Sequence, residues 1–246
     1  MTLNVTNLEK TAGGFSLAIE RMYIGAPGIY GLIGPNGCGK TTAAKLLSGV
    51  LLPDRGEIRA FLENRSGGRV PLESRDITMV SQKPYMMDDT VYNNLVYPLR
   101  LRGIQPDPAQ TDDALRAIGF LERKNQRAKG LSAGERQKLA LLRAMIFKPR
   151  LIILDEAMTD LDIDSLDMFE GMVLERQKQD PVIWIIISHQ LAHIKRLCGY
   201  IFFMAGGRLE AEGPAGELLA SSNPLIRRYL KHEVLETGTS AMPEEA

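Results

Sequence analysis

The pattern of hydrophobic and polar residues predicts a chain that alternates between strands and helices. Residues 3–20 alternate weakly about the turn Thr11-Ala12-Gly13-Gly14, which favours a β-hairpin. Further strands are predicted at 29–33, 77–80, 151–154, 182–187, 200–204 and 208–211. Helices are predicted at 40–49, 90–101, 108–121, 133–147, 163–179, 216–220 and 224–235. This alternation indicates an α/β fold built on a parallel sheet.

A helical insertion interrupts the alternation. Between residues 90 and 147 the pattern favours only helices, so we expect an inserted helical subdomain at about 86–149. The core then comprises about 1–85 and 150–235, and residues 1–235 form one domain. Residues 236–246 are predicted to be a flexible tail.

Composition narrows the class of partner. Lysines plus arginines and aspartates plus glutamates are 30 each in 246 residues, which argues against nucleic acid or an anionic lipid surface as the main partner. Cys38 and Cys198 form no closely spaced pair, so a disulfide framework is not expected and a reducing compartment fits. No segment has the length and hydrophobicity of a membrane span, and the start lacks the pattern of a secretory signal. These features predict a cytoplasmic protein.

A phosphate-binding loop is the most specific motif. Residues 34–41, GPNGCGKT, match GxxxxGK[ST] between a predicted strand and a predicted helix. The glycines allow backbone N–H groups to surround phosphate oxygens at the positive end of the helix. Lys40 supplies a cation for the β- and γ-phosphates, and Thr41 supplies a hydroxyl for Mg²⁺. Cys38 occupies a variable position and is interpreted as a tolerated small residue.

A second chemical motif is the acidic end of a buried strand. Asp155 and Glu156 follow the apolar run at 151–154. Such a pair often merely ends a strand, but beside a phosphate loop it suits Mg²⁺ binding by Asp155. Glu156 is then placed to polarise the attacking water as general base.

Two further features of the sequence can be explained by structure alone, without a catalytic role. Ser132 and Glu135 in Leu131-Ser132-Ala133-Gly134-Glu135 have the spacing of a capping box that opens a helix. His189 follows an apolar strand, where a lone histidine is more often an ordinary polar residue.

Taken in order, these motifs resemble those of ATP-binding cassette (ABC) proteins, from Leu3 to about Leu235. Residues 131–135 are similar to the LSGGQ signature, and Thr159-Asp160-Leu161-Asp162 to the D-loop. The resemblance implies a P-loop NTPase core of RecA-like type, an N-terminal antiparallel β subdomain and the helical subdomain. It also implies that ATP and Mg²⁺ are bound and that ATP is hydrolysed.

The resemblance assigns roles residue by residue. Catalytic residues are Glu156, His189 as the switch histidine, Gln82 of the Q-loop, and Lys40. Metal contacts fall on Thr41, Gln82 and Asp155. Nucleotide contacts fall on Gly34, Pro35, Asn36, Gly37, Cys38, Gly39, Lys40, Thr41, Thr42, Ser132, Gly134 and Asp162.

The sequence departs from the family pattern at three positions. Ala133 replaces the first signature glycine and Glu135 replaces the glutamine, while Ser132 and Gly134, which face the phosphates, are retained. Ala12 stands where the family has an aromatic residue that stacks on adenine. Either Phe15 or Tyr23 substitutes for it, or stacking is weak and selectivity among purine nucleotides is loose.

The resemblance implies partners as well. The expected partners are separate transmembrane permease subunits, a second cassette (a homodimer) and an extracytoplasmic solute-binding protein, with the chain peripheral on the cytoplasmic side of the membrane. Tyr85, Met86 and Met87 follow the Q-loop; they either line the groove for a permease helix or pack inside the helical subdomain. The solute is expected to be a small oxyanion, such as tungstate or phosphate, or a polar amino acid. An exporter ATPase, or a non-transport ABC ATPase in regulation or repair, remains the alternative.

Overall fold

In a computed structural model of the chain, residues 1–63 and 68–238 are described. The strands are β1 (Thr2–Ala12), β2 (Phe15–Ile24), β3 (Gly28–Ile33), β4 (Arg55–Glu63), β5 (Arg69–Pro71), β6 (Ile77–Ser81), β7 (Leu151–Asp155), β8 (Ile183–Ile187), β9 (Tyr200–Ala205) and β10 (Arg208–Pro214). The helices are α1 (Lys40–Leu47), α2 (Val91–Leu101), α3 (Pro108–Ala117), α4 (Ala133–Met145), α5 (Ile163–Gln179), α6 (Leu191–Leu197), α7 (Ala215–Leu219) and α8 (Pro224–Gly238).

The chain divides into two compact units: residues 1–71 with 183–246, and residues 72–182. The predicted helical insertion lies inside the second unit, which also contains β6, β7 and α5. The subdomain boundaries at 86 and 149 remain a prediction. Of the predicted tail, residues 236–238 belong to α8, and residues 239–246 lie outside the described part of the chain.

The first unit combines antiparallel and parallel strands in the order β5-β4-β1-β2-β10-β9-β3-β8. β1 and β2 form the predicted hairpin, and β4 and β5 extend it in antiparallel fashion. β3 pairs in parallel with β8 on one side and β9 on the other. Every residue of β8, IWIII, is buried, as expected for a parallel strand that is covered on both faces.

The second unit pairs β6 in parallel with β7 and packs α2 and α4 together. Its helices start at recognisable caps. The Thr90 side chain accepts a hydrogen bond from the N–H of Asn93 at the start of α2, at 3.1 Å. Asp107 does the same for Ala109 at the start of α3, where Pro108 fills the first helical position.

Among the strands and α-helices of the described residues, three were not predicted from the pattern: β4, β5 and α6. β4 carries charged residues along its length and has no fully buried position, so its hydrophobic alternation is weak. β5 has three exposed residues, and α6 has seven residues, less than the length at which helical periodicity is recognisable. The hairpin and the other predicted strands and helices are confirmed within a few residues at their ends.

Candidate active site

The phosphate loop connects β3 to α1 in the first unit, in the predicted strand–loop–helix arrangement. Gly34, its first residue, has φ +148°, and a Cβ there would lie 2.0 Å from the carbonyl oxygen of Met204 in β9. Only glycine accepts both this backbone conformation and this close approach. The loop is therefore held against β9 at its first residue.

Lys40 begins α1 and is only 8% exposed. Its Nζ donates hydrogen bonds to the carbonyl oxygens of Gly34 at 2.6 Å and Pro35 at 3.0 Å. An ammonium has three donor protons, so one more bond, to a phosphate oxygen, can be added to the two that these described residues accept. These two carbonyl groups of the phosphate loop therefore hold the Lys40 ammonium in place.

The remaining loop residues differ in exposure. Pro35, Asn36, Gly37 and Thr41 are exposed, and Gly39 and Thr42 are half-buried. Cys38 is buried, and burial raises the pKa of its thiol. A thiol that is protonated and buried is a poor nucleophile, which favours the interpretation of Cys38 as a small packing residue.

His189 lies at the same sheet edge as the phosphate loop. β8 runs parallel to β3, with Ile187 paired to Leu32, so the carboxyl ends of both strands meet at one edge. His189 follows β8 by two residues and is half-buried. The intervening Ser188 is buried, and its Oγ accepts a hydrogen bond from the N–H of Gln190 at 3.1 Å. The first unit therefore brings Lys40, Thr41 and His189 to one edge.

The second unit brings Gln82, Asp155 and Glu156 to the carboxyl edge of β6 and β7. Ser81 pairs with Asp155 in the parallel register, so Gln82 and Glu156 are the next residues on adjacent strands. Asp155 is 5% exposed, whereas Gln82 is exposed and Glu156 is half-buried. Both the carboxylate of Asp155 and the amide oxygen of Gln82 are oxygen donors of the kind that bind Mg²⁺.

Glu156 has a left-handed backbone conformation, with φ +52°. This conformation is uncommon for a residue with a side chain, and such residues concentrate at functional sites. Thr159 Oγ1 donates to the Glu156 carbonyl oxygen at 3.2 Å and lies 3.3 Å from its Oε2. Thr159 therefore holds both the backbone and the carboxylate of Glu156 in the turn after β7, and the role of Glu156 as general base stays a prediction.

The signature segment forms the capping box that the sequence predicted. Ser132 Oγ accepts a hydrogen bond from the N–H of Glu135 at 3.2 Å, and Glu135 Oε2 accepts one from the N–H of Ser132 at 2.8 Å. Glu135 also accepts a hydrogen bond from Arg123, which with these contacts lowers the pKa of its carboxyl to about 2. Glu135 in place of glutamine therefore gains an ion pair inside the second unit.

The D-loop lies against the signature helix. A Cβ on Gly134 would be 2.9 Å from the carbonyl oxygen of Asp160. Asp162 begins α5 as its N-cap, with Oδ1 accepting from the N–H of Ser165 at 2.8 Å, and its Oδ2 lies 3.1 Å from Nζ of Lys138 in α4. Hydrogen bonding from Ser165, followed by Lys138, lowers the pKa of Asp162 to about 2. The predicted contact of Asp162 with nucleotide stays a prediction.

Gln137 is a residue that the sequence analysis missed. It lies on α4, is 1% exposed, and its Nε2 donates to the carbonyl oxygens of Ala157 and, at 3.5 Å, of Ser81. Those carbonyls flank the two strand ends that present Glu156 and Gln82. Gln137 therefore links the signature helix to both strand ends. The available signal was a polar residue on the apolar face of a predicted helix.

A groove of about 510 Å³ opens beside the Q-loop in the second unit. Its lining residues come from β6, the Q-loop, α2 and α4, and include Tyr85, Met87, Tyr97, Arg102, Arg143 and Phe147. Of the apolar residues after the Q-loop, Met86 is buried, while Tyr85 is 78% exposed and lines the groove with Met87; docking of a permease helix there stays a prediction.

Magnesium suits the residues that the sequence assigned to it. The first unit offers the exposed hydroxyl of Thr41, and the second offers the carboxylate of Asp155 and the amide oxygen of Gln82. All three are oxygen donors, and Mg²⁺ in nucleotide sites is held by one or two protein oxygens together with phosphates and water. The described residues contain no cluster of three or more histidine, cysteine, aspartate or glutamate side chains that would form a complete metal cage.

The phosphate loop between β3 and α1 of this α/β fold defines a P-loop nucleotide-binding protein. The ABC transporter family profile matches residues 21–159, and the chain belongs to that family. It is 35% identical, over 87% of its length and 99% of the other chain, to the tungstate uptake system ATP-binding protein TupC of Peptoclostridium acidaminophilum. The family and this relative make the protein an ATPase, and the predicted fold class is confirmed.

Other relatives are longer than this chain. It is 33% identical to the spermidine/putrescine import ATP-binding protein PotA of Methylococcus capsulatus, over 86% of this chain and 56% of that one. It is 32% identical to the trehalose/maltose import ATP-binding protein MalK of Thermococcus litoralis, over 76% and 52%. The chain thus spans about half the length of these two relatives.

Solved structures agree on the fold. The chain is similar to an ATP binding subunit of an ABC transporter, with TM-score 0.77 at 21% identity, covering 95% of this chain and 100% of that one. It is also similar to part of a bacterial Atm1-family ABC exporter with ATP bound, with TM-score 0.76 at 21% identity, covering 95% and 42%. At this identity the likeness concerns the fold alone. Across the described residues, no helix is both long and apolar enough to cross a bilayer.

Proposed function

We propose that this protein is the energy-coupling ATPase of an uptake system for a small polar solute, with an oxyanion of the tungstate type as the first candidate. The observation that carries the proposal is the similarity to TupC, which extends over 99% of that protein's length. PotA and MalK, named for import of other solutes, support uptake without fixing the solute. Phosphate and polar amino acids are therefore the next candidates.

The proposed chemistry uses the residues at the two sheet edges. Backbone N–H groups of the phosphate loop and the ammonium of Lys40 bind the β- and γ-phosphates. Glu156 accepts a proton from the water that attacks the γ-phosphorus, and His189 orients the γ-phosphate side of the site. Magnesium, when bound, neutralises charge on the phosphate oxygens. Thr41, Asp155 and Gln82 are the residues that would hold it.

We further propose that the signature helix contributes to a site that two chains share. Ser132 Oγ already accepts a hydrogen bond from Glu135, so its hydroxyl proton is the part that can be donated to a phosphate oxygen. Ser132 is exposed at the N-terminus of α4, where backbone N–H groups also favour an anion. In our proposal, Ser132 and Gly134 of one chain complete the site formed by Lys40 and Glu156 of a second copy.

A mixing experiment tests the shared site. Ser132→Arg places a bulky cation at the signature, and Lys40→Ala removes the phosphate-loop cation; each variant alone is expected to be inactive. In a mixed dimer, one composite site carries both changes and the other carries neither. Recovery of ATPase activity on mixing is the expected result. Normal hydrolysis by Ser132→Arg as a dilute monomer would contradict the shared site.

Permease subunits are proposed to dock at the groove beside the Q-loop. Tyr85 is 78% exposed and Leu101 65% exposed there, and exposed apolar residues around a groove are typical of a binding surface for a helix. Gln82 lies three residues before Tyr85 in the sequence. Movement at the nucleotide site would therefore be linked to movement of the docked helix. The chain would then lie peripherally on the cytoplasmic face of the membrane, with an extracytoplasmic solute-binding protein completing the system.

Co-expression with candidate permease subunits from neighbouring genes, followed by reconstitution, tests the function. We expect co-purification, and ATPase activity that rises when the solute-binding protein is loaded with tungstate more than with molybdate, phosphate or glutamine. If only phosphate or only an amino acid stimulates the ATPase activity, that solute takes the place of tungstate in the proposal, and the uptake function stands. ATPase activity without any association with permease subunits would favour a non-transport ATPase, and substrate-stimulated efflux would indicate an exporter.

A further inference from the structure

A pocket of about 340 Å³ lies between helix α8 and the phosphate loop, within the first unit. Pro35 and Asn36 of the loop form one wall. The other wall is one face of α8, which carries Leu225, Arg228 and His232 at intervals of three and four residues. The volume falls in the range of pockets that hold small molecules, about 300–1,000 Å³. No role proposed above involves α8.

The inner part of the lining is apolar. Phe203 of β9 and Tyr229 of α8 are 1% and 5% exposed, and their ring centroids lie 5.6 Å apart. Leu225, which is 51% exposed, adds aliphatic carbon nearer the solvent. Aromatic rings pack on one another in tilted or edge-on arrangements at such distances, so a third ring is a favourable occupant of this part of the pocket.

Two basic side chains form the exposed part of the lining. Neither Arg228 nor His232 has an ion-pair or hydrogen-bond partner among the side chains of residues 1–63 and 68–233. The guanidinium of Arg228 is permanently charged, and its planar set of donors matches a carboxylate. The imidazole of His232 adds a further N–H donor. Glu233 is the acidic residue of the described lining, but it is 9% exposed and interacts within the protein.

The pocket also borders the contact that holds the phosphate loop in place. Its lining includes the two neighbours of Met204 in β9, whose carbonyl oxygen Gly34 closely approaches. The carbonyl oxygen of Pro35 accepts a hydrogen bond from Lys40 Nζ at 3.0 Å. A molecule held between α8 and Pro35 would therefore brace the loop in the conformation in which it holds the Lys40 ammonium.

We propose that this pocket is a regulatory site for a small aromatic carboxylate. The ring of the ligand packs against Phe203 and Tyr229, and its carboxylate pairs with Arg228 and accepts a hydrogen bond from His232. Because the bound ligand braces the phosphate loop, it strengthens Mg-ATP binding, and Mg-ATP strengthens binding of the ligand by the same factor. The proposal goes beyond the proposed function, since it adds a ligand that binds apart from the nucleotide.

Ligand-observed NMR titration with three probes tests the site. Benzoate carries both the ring and the carboxylate, benzamide carries the ring without the charge, and acetate carries the charge without the ring. We expect saturable binding of benzoate and at least roughly tenfold weaker binding of the other two. Arg228→Gln should weaken benzoate binding by roughly tenfold or more, the scale of one lost charge-assisted hydrogen bond. Arg227→Gln, at an exposed neighbouring position outside the pocket, is the matched control and should bind benzoate like the unaltered protein.

Calorimetric titration with Mg-ATP tests the regulatory link. Saturating benzoate should tighten ATP binding by about fivefold in the unaltered protein and in Arg227→Gln, and should have no effect in Arg228→Gln. Absence of saturable benzoate binding, or equal binding by Arg228→Gln, would overturn the site. Equally tight binding of benzamide or acetate would overturn the assigned class of ligand. Benzoate binding that leaves ATP affinity unchanged would overturn the regulatory role.

Discussion

Replacing Gln137 by methionine isolates the link between the signature helix and the two strand ends. Methionine has a similar length and no branch, so it fills the same space while removing the Nε2 donors. The carbonyl oxygen of Ala157 then loses its hydrogen bond from the buried amide. The longer bond, 3.5 Å to the carbonyl of Ser81, is lost as well.

The magnitude follows from two opposing effects. An unpaired buried carbonyl costs about 1–3 kcal/mol. Against this, Gln137 Oε1 is itself buried and accepts no hydrogen bond from the described residues, and methionine removes that unpaired acceptor. We therefore expect a net loss near the lower end, about 1–2 kcal/mol. For a chain of this size that corresponds to a fall of roughly 2–8 °C in the melting temperature.

Thermal unfolding and steady-state ATPase assays measure the two consequences. Ala157 follows Glu156, so a shifted Ala157 carbonyl should misplace the general base and lower kcat more than it raises KM for ATP. Gln105→Met, at an exposed position, is the control and should change neither property. If Gln137→Met has the same melting temperature and kcat as Gln105→Met, the amide does not hold the strand ends and the inferred link is wrong.

Three further predictions concern nucleotide choice, the loop and acid stability. Mg-ATP and Mg-GTP should bind with similar affinity in competition titrations, because Ala12 offers no aromatic face on which the base could stack. Gly34→Ala should abolish nucleotide binding or destabilise the fold, since its Cβ would lie 2.0 Å from the Met204 carbonyl oxygen, and paired binding and melting curves separate these outcomes. The pKa values of Glu135 and Asp162 are lowered to about 2, against about 4 in an unfolded chain, so the unfolded state takes up protons first as the pH falls. Urea midpoints should therefore be insensitive to these carboxyls above about pH 5 and decrease progressively toward pH 2.

Local motifs could be predicted from the sequence because their geometry is determined by nearby residues. The phosphate loop needs its glycines and Lys40 in fixed order, and the capping box needs only Ser132 and Glu135 three residues apart. Buried parallel strands such as β7 and β8 were equally clear, since both faces are apolar.

Features that depend on distant contacts could not be predicted. Nothing near Gln137 in the sequence indicates that its amide reaches carbonyls 20 and 56 positions away. The sequence alone does not distinguish Phe15 from Tyr23, since both are aromatic residues in the same part of the chain. The close backbone approach at Gly207 places Phe15, and not Tyr23, on the phosphate loop. The left-handed conformation of Glu156 likewise arises from the turn that follows β7.

The most direct test of the ATPase account compares Glu156→Gln with the unaltered protein in Mg-ATP binding and in single-turnover hydrolysis. Glutamine keeps the shape of the side chain but cannot accept the proton of the attacking water. We expect ATP affinity to be retained and hydrolysis to fall by roughly 10²–10⁴-fold, while Glu122→Gln, at an exposed position, leaves both unchanged. Near-normal hydrolysis by Glu156→Gln would contradict the account, because no proton acceptor would then be needed at the end of β7.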